Sequence, residues 1–198
     1  NIILVGGGGH ALACLDVIKK LKEFDIKGYI DKKQTNLSKF NIKYLGSDSV
    51  FEDYINTSSF IVSVGQIKNY ENRSKIFNKL KKLGANLPVI ISPFSYVSDF
   101  SKINEGTIVM HGSIIQSNST IGYNCIINDK ALIEHDCSIG NNSHISTSVT
   151  LNGNCKVGSN TFIGSGTIVN NNLKIGSNTL ISSGNLIKKD IEDNKIIK

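Results

Sequence analysis

The sequence predicts a small parallel α/β unit over residues 1–92, followed by a parallel β-helix over residues 93–198. Three observations carry this reading. From Val97 to Ile187 an Ile, Val or Leu recurs at every sixth position, sixteen times without a slip. The residue four places after each is usually small or slim: Thr107, Ser113, Ser119, Cys125, Ala131, Cys137, Ser143, Val149, Cys155, Thr161 and Thr167. Before the hexads, short apolar runs alternate with helical patterns, as a strand–helix–strand sheet requires.

A period of six suits neither a helix nor a simple strand, and marks a hexapeptide repeat. Each hexad forms one face of a triangular coil, so equivalent residues recur after about eighteen positions. The branched residue points into the prism, and the residue four places on faces inward near a corner. Corners that need φ > 0 or tight bends account for the many Gly and Asn residues, such as Gly140, Asn142, Gly158, Asn160, Gly176 and Asn178. The hexads make about five coils, enough to bury a continuous core.

In the first part, residues 2–5 read as a buried strand and Gly6-Gly7-Gly8-Gly9-His10 as a glycine-rich turn. A helix is expected over 11–21, a second strand over 27–31 ending on Asp31, and loop over 32–46. Residues 47–54 read as a short helix capped by Ser49. A third strand is expected over 59–65, ending on Gly65, and an amphipathic helix over 69–83, closed by Gly84. The fourth strand falls at 87–91. About ninety residues hold one βαβαβ half of a dinucleotide fold, so this is a half-Rossmann unit. Gly6-x-Gly8-x-x-Ala11 approaches the phosphate fingerprint, and Asp31 stands where an acid accepts a ribose hydroxyl. With the second half missing, the pattern points to a nucleoside diphosphate and away from hydride transfer.

Residues 1–92 carry 14 Lys+Arg against 8 Asp+Glu, and residues 93–198 carry 8 against 8, so the whole net charge of +6 lies in the first part. Aromatic residues do not interleave with these lysines, which argues for a phosphorylated small molecule over nucleic acid. No apolar run is long enough to span a membrane. The N-terminal Ile2–Val5 run lacks a basic flank and reads as a strand, not a signal peptide. Three of the four cysteines fill inward slots and no CxxC exists, so reduced structural thiols and a cytoplasmic location are expected.

One hexad stands out chemically. Ile133-Glu134-His135-Asp136-Cys137-Ser138 places a histidine between two carboxylates among positions otherwise occupied by Ser, Asn, Gly and Thr. An acid beside an outward histidine fixes its tautomer and raises its basicity. One coil later stands Gly153, whose backbone N–H is open to a developing oxyanion. His111 occupies the same slot of its hexad but has Met110 and Gly112 for neighbours, and reads as a solvated residue.

The Gly-Gly-x-Gly-His turn, with Ile-Glu-His-Asp-Cys and His-Ile-Ser in the hexads, resembles the NeuD/PglD-type sugar acyltransferases. The resemblance implies a left-handed β-helix, a homotrimer with active sites between subunits, acetyl-CoA as cosubstrate and no metal. By position, His135 matches the general base and Asp136 its orienting acid, a place where members carry Glu or Asp. His144 matches a residue near the acetyl-CoA thioester. Gly153, Ser165 and Ser183 fall where CoA-contacting backbone lies, although some members have Gly in place of Ser183. Gly8, Gly9, His10, Asp31 and Gly65 match the nucleotide-sugar pocket, with Asn128 near the acceptor amine. After the last coil the sequence reads Ile196-Ile197-Lys198, departing from the family's Gly-Val-Pro-Ala-Lys-like segment. The implied reaction is N-acetylation of a UDP-linked 4-amino-4,6-dideoxy sugar for bacterial glycan assembly. O-acetylation of a sialic-acid-type nonulosonate and a non-catalytic nucleotide-sugar-binding trimer are the alternatives.

Overall fold

A computed structural model describes residues 1–198. Strands β1 (Ile2–Val5), β2 (Ile26–Ile30), β3 (Tyr44–Gly46) and β4 (Ser59–Val62) form a parallel sheet in the order β3-β2-β1-β4. Helices α1 (Gly9–Lys20), α2 (Phe51–Tyr54) and α3 (Glu71–Lys82) complete the first part. β1 is central and fully buried, as its unbroken apolar run demands.

Several local expectations need correction. The segment expected as loop contains β3, whose Tyr44 pairs with Tyr29 across a register shift. Ser49 caps nothing: it lies inside a 3-10 turn at Asp48–Val50, where Ser47 takes the N-cap position without a side-chain bond. The fourth strand belongs to the other part of the molecule. Ile90–Ile91 pairs with Ile108–Val109 in the coil, and only a bridge between Ser59 and Asn86 ties that segment to the small sheet. Pro88 lacks an N–H to donate, and the strand forms only beyond it.

From Ile90 onward, two-residue strands wind a left-handed parallel β-helix with three faces. Register partners are eighteen residues apart, as in Thr120↔Ser138 and Leu132↔Thr150, until the last turn, where Leu180 pairs with Ile196. The leading Ile, Val and Leu residues stack into a single core with the inward Cys125, Ala131, Cys137, Val149 and Cys155. Glycine and asparagine have separate duties here. The third residue after each lead is left-handed from Gly106 to Gly184, and asparagine is its commonest occupant. Glycines one place after a lead do not have positive φ. At Gly158 an added Cβ would sit 2.4 Å from the Ser177 backbone nitrogen on the next coil, so contact between coils excludes a side chain.

The first residue of each strand faces outward, and its identity assigns each face. On one face Ile90, Ile108 and Ile126 are buried with Ala11, Cys14, Leu15 and Ile18, which docks α1 onto the coil. A second presents Lys102, Thr120, Ser138, Lys156 and Lys174. A third presents Tyr96, Ile114, Leu132, Thr150, Ile168 and Leu186, of which Tyr96, Ile168 and Leu186 are well exposed. We call these the docked, lysine and apolar faces. No helix is long and apolar enough to cross a membrane.

Gly158→Ala is expected to destabilise the protein by about 2 kcal/mol or more, since backbone must shift to admit the methyl. Gly166→Asn, at a left-handed position with open space around it, is expected to change stability by less than about 0.5 kcal/mol. Urea unfolding of the two variants checks the contrast.

Candidate active site

His135 and Asp136 sit on the corner between the apolar and lysine faces. Asp136 occupies the left-handed position of its hexad (φ 61°). Asparagines fill that position above and below it, and a ladder of side-chain amides links successive coils. Asn118 Nδ2 donates to Asp136 Oδ1 at 2.6 Å, and Asn154 Nδ2 donates to Asn172 at 2.9 Å. Asp136 therefore replaces one rung of an asparagine ladder with a carboxylate. Its other oxygen, Oδ2, lies 2.6 Å from His135 Nδ1. The carboxylate only accepts, so Nδ1 carries the proton and Nε2 keeps its lone pair.

Gly153 makes this ring position possible. A Cβ there would lie 2.8 Å from His135 Cε1 and Nε2, so the imidazole occupies the space a side chain would fill. The Gly153 N–H has no acceptor within the chain. The hydrogen bond with Asp136 raises the His135 pKa above its ordinary value and lowers that of Asp136. The His135 side chain is 60% exposed.

The remaining residues gather elsewhere, in two adjoining cavities. The first, of about 560 Å³, lies over the C-terminal ends of β1, β2 and β4 and the N-terminus of α1. Gly8, Gly9, His10, Asp31 and Gly65 line it, with Lys32, Asp48, Asn72 and Lys75. Gly6 and Gly7 are crowded by Val64 and Thr35, whereas Gly8 and Gly9 have open space at their Cα atoms. α1 begins at Gly9, so His10 lies in its first turn, next to uncapped amides suited to an anion. Asp31 is engaged with backbone: Oδ2 accepts from Gly7 N–H at 2.7 Å and Oδ1 from Lys32 N–H at 2.6 Å. It braces the glycine turn and retains lone pairs for a ligand hydroxyl.

The second cavity, of about 710 Å³, lies between the small domain and the corner joining the docked and apolar faces. His10 and Gly65 line both cavities; Asn128, His144, Ser165 and Ser183 line only the second. His144 is buried on the docked face. Its Nδ1–H donates to the Gln66 carbonyl at 2.6 Å, and Asn128 Nδ2 stands 3.2 Å from its Nε2. Asn128 Oδ1 accepts from Asp129 N–H, which orients the amide so that Nδ2 donates to the ring. Both ring nitrogens are committed, so His144 shapes the cavity and fixes Asn128 without a proton of its own to offer. Burial, with the charge of Arg73 adding to it, pulls the pKa of His144 down to about 4.

His135 and Gly153 line neither cavity. Asn128, His144, Ser165 and Ser183 lie by one edge of the apolar face, and the His135–Asp136 dyad by the other. Sequence reasoning missed Gln66, Lys68, Ser146 and Phe162 in the second cavity, and Asn72 and Lys75 in the first. An outward Phe162 one coil after His144 was the available signal. His111, expected to be solvated, instead joins the two parts: its Nδ1 meets buried Ser92 Oγ at 2.6 Å and its Nε2 meets Asp16 at 3.0 Å. No cluster of three or more His, Cys, Asp or Glu residues is placed to hold a metal.

The coil and the docked α/β unit have the architecture of a hexapeptide-repeat transferase with an added N-terminal domain. Residues 1–80 match the PglD N-terminal domain family, and residues 154–189 match the bacterial transferase hexapeptide family. Among solved structures, the acetyltransferase domain of PglB from Neisseria gonorrhoeae in complex with acetyl coenzyme A superposes with a TM-score of 0.91 at 26% identity. The match covers 98% of this chain and 94% of that one. A histidine-to-asparagine mutant of perosamine N-acetyltransferase from Caulobacter crescentus, in complex with CoA and GDP-perosamine, gives 0.91 at 26% over 99% and 92%. WeeI from Acinetobacter baumannii shares the fold at 17% identity and a TM-score of 0.62, over 100% and 96%. Comparison with curated protein sequences gives no significant match. The chain is thus similar over nearly its whole length to acetyl-CoA-dependent sugar acetyltransferases that carry a PglD-type N-terminal domain and a hexapeptide-repeat domain.

An NMR titration of His135 is expected to give a midpoint above about 6.5, the ordinary imidazole value. Asp136→Asn removes the raising partner and is expected to move that midpoint down.

Proposed function

We propose that this protein transfers an acetyl group from acetyl-CoA to the 4-amino group of a nucleoside-diphosphate-linked 4-amino-4,6-dideoxy sugar, with UDP as the carrier. The observation that carries the proposal is the divided site. The His135 dyad flanks one edge of the apolar face, and the second cavity flanks the other. Three copies packed through their apolar faces around a threefold axis set one edge of each against the opposite edge of the next, and the ring closes. His135 of one subunit then faces the cavity of its neighbour. The exposed Ile168 and Leu186 supply the apolar contact such an interface needs.

In this arrangement the first cavity holds the nucleoside diphosphate, with the α1 N-terminus, Lys32 and Lys75 on its phosphates. Gly8, Gly9, His10, Asp31 and Gly65 form the walls around it. Acetyl-CoA lies along the coils past His144, Ser165 and Ser183, and Asn128 stands near the acceptor amine. That amine attacks the thioester carbonyl while His135 Nε2 takes its proton. Asp136 stabilises the imidazolium, and the Gly153 N–H donates to the tetrahedral oxyanion. The C–S bond then breaks and the imidazolium returns its proton to the departing CoA sulfur. No thiol or hydroxyl is bonded to Nε2, so direct transfer fits better than an acyl-enzyme. Four free cysteines and the use of acetyl-CoA suit the cytoplasm.

His135→Ala is expected to lower turnover at least about a hundredfold while the trimer persists. CoA release with UDP-, GDP- and dTDP-linked amino sugars, and with a free nonulosonate, identifies the acceptor. Near-normal activity of the alanine variant, or no release with any amino sugar, refutes the assignment. Ile168→Glu places a charge in the proposed interface and is expected to yield monomers by light scattering, with turnover lost alongside.

A further inference from the structure

His10 stands where the two cavities meet. Its two ring nitrogens have different surroundings. Nε2 lies 3.4 Å from Cys14 Sγ, one turn further along α1. Nδ1 has no partner in the chain and is not buried. Cys14 is completely buried in the apolar cluster that includes Ala11, Val17, Ile61 and Met110.

Both groups are neutral near pH 7. Burial pushes the Cys14 thiol up to about 12, so sulfur keeps its hydrogen. Burial, reinforced by the Arg73 charge, holds the His10 imidazolium pKa down at about 3. A neutral imidazole has a single N–H, and its position decides what the ring offers. On Nε2 it would be aimed at sulfur, a weak acceptor, and the thiol hydrogen would be left among apolar side chains. On Nδ1 it faces the cavity, and the thiol hydrogen reaches the strong acceptor Nε2. Only the second arrangement gives both hydrogens a use.

We propose that Cys14 is a positioning residue whose thiol, donating to His10 Nε2, holds the imidazole in its Nδ1–H form. One ring N–H is thereby presented to an acceptor oxygen of the ligand at the junction of the two cavities. The identity of that ligand rests on the acetyltransferase reading, but the tautomer does not. A histidine that exchanged between its two neutral forms would offer this donor only part of the time.

Nitrogen-15 NMR of the histidine-labelled protein reads the tautomer directly. His10 is expected in the Nδ1–H form, without titrating between about pH 5 and 8. Cys14→Ala is expected to bring in the Nε2–H form and raise KM for the amino sugar about five- to tenfold, with KM for acetyl-CoA changed less than about twofold. Cys14→Ser replaces the thiol with another donor and is expected to restore both the Nδ1–H signal and the amino-sugar KM. The Nε2–H form in the unmodified protein, or a serine variant with the same tautomer mixture as the alanine variant, overturns the proposal. The expected tautomer in a protein that transfers no acetyl group supports the role of Cys14 and refutes the acetyltransferase reading.

Discussion

Everything in the coil depends on one constraint: each turn lies directly on the next, eighteen residues away until the shorter last turn, with no room for register error. The crowding that forbids a Cβ at Gly158 also brings the Ser177 backbone into contact with it. The same register lines up the left-handed corner residues so that their amides bond in columns, as in Asn160 Nδ2 to Asn178 Oδ1 at 3.0 Å. A strict stack turns a change at one position into a local event with fixed geometry. Replacing one asparagine rung by Asp136 puts a carboxylate beside His135, and leaving Gly153 bare gives that imidazole its place. The dyad needs no special loop; the repeat supplies its frame.

The stack also explains how one core serves three surfaces. Inward residues are alike on all faces, so they carry no information about partners. The outward strand residues differ, and they divide the labour: isoleucines beneath α1, lysines toward solvent, and a mixed apolar stripe between the two edges that hold chemistry. The small domain meets the docked face and the corners beside it, which builds the second cavity around His144 and leaves His135 outside it. The proposed reaction draws on both edges of that face, and for that reason it calls on neighbouring subunits.

How much of this was legible in the sequence follows from the range of the interactions. The hexads repeat locally, so the coil, its inward residues and the alignment of Gly153 with His135 could be read directly. The dyad was legible because Glu134-His135-Asp136 interrupts a monotonous polar background. β3 was not legible, since Tyr44–Gly46 is short and is held by pairing with β2. Ile90–Ile91 looks the same whether it joins a small sheet or starts a coil, and only its partner strand decides. The two cavities, and the placing of Gly153 in neither, depend on how α1 docks, which no periodicity encodes. Asp31 lines the first cavity beside the glycine turn, but its bond to Gly7 N–H, which steadies that turn, is a tertiary fact.

Arg73 shows how tightly that docking is bound to the site. It is fully buried without a carboxylate partner, and burial pulls its pKa down to about 10, so it stays charged near pH 7. Its guanidinium bonds the Val62 and Val64 carbonyls at the end of β4 and the Asn124 carbonyl on the coil. One side chain therefore holds the strand that leads to Gly65 against the helix of hexads. Burying a charge without a counter-ion is costly, and carbonyl dipoles offset only part of it, with Nη2 left unpartnered. A neutral side chain could fill the space more cheaply but could not donate to carbonyls on both domains. The same charge also opposes protonation of His10 and His144. The bond that joins the two halves of the molecule thus helps keep the histidines between them neutral, so the joint and the chemistry of the cavity are one constraint.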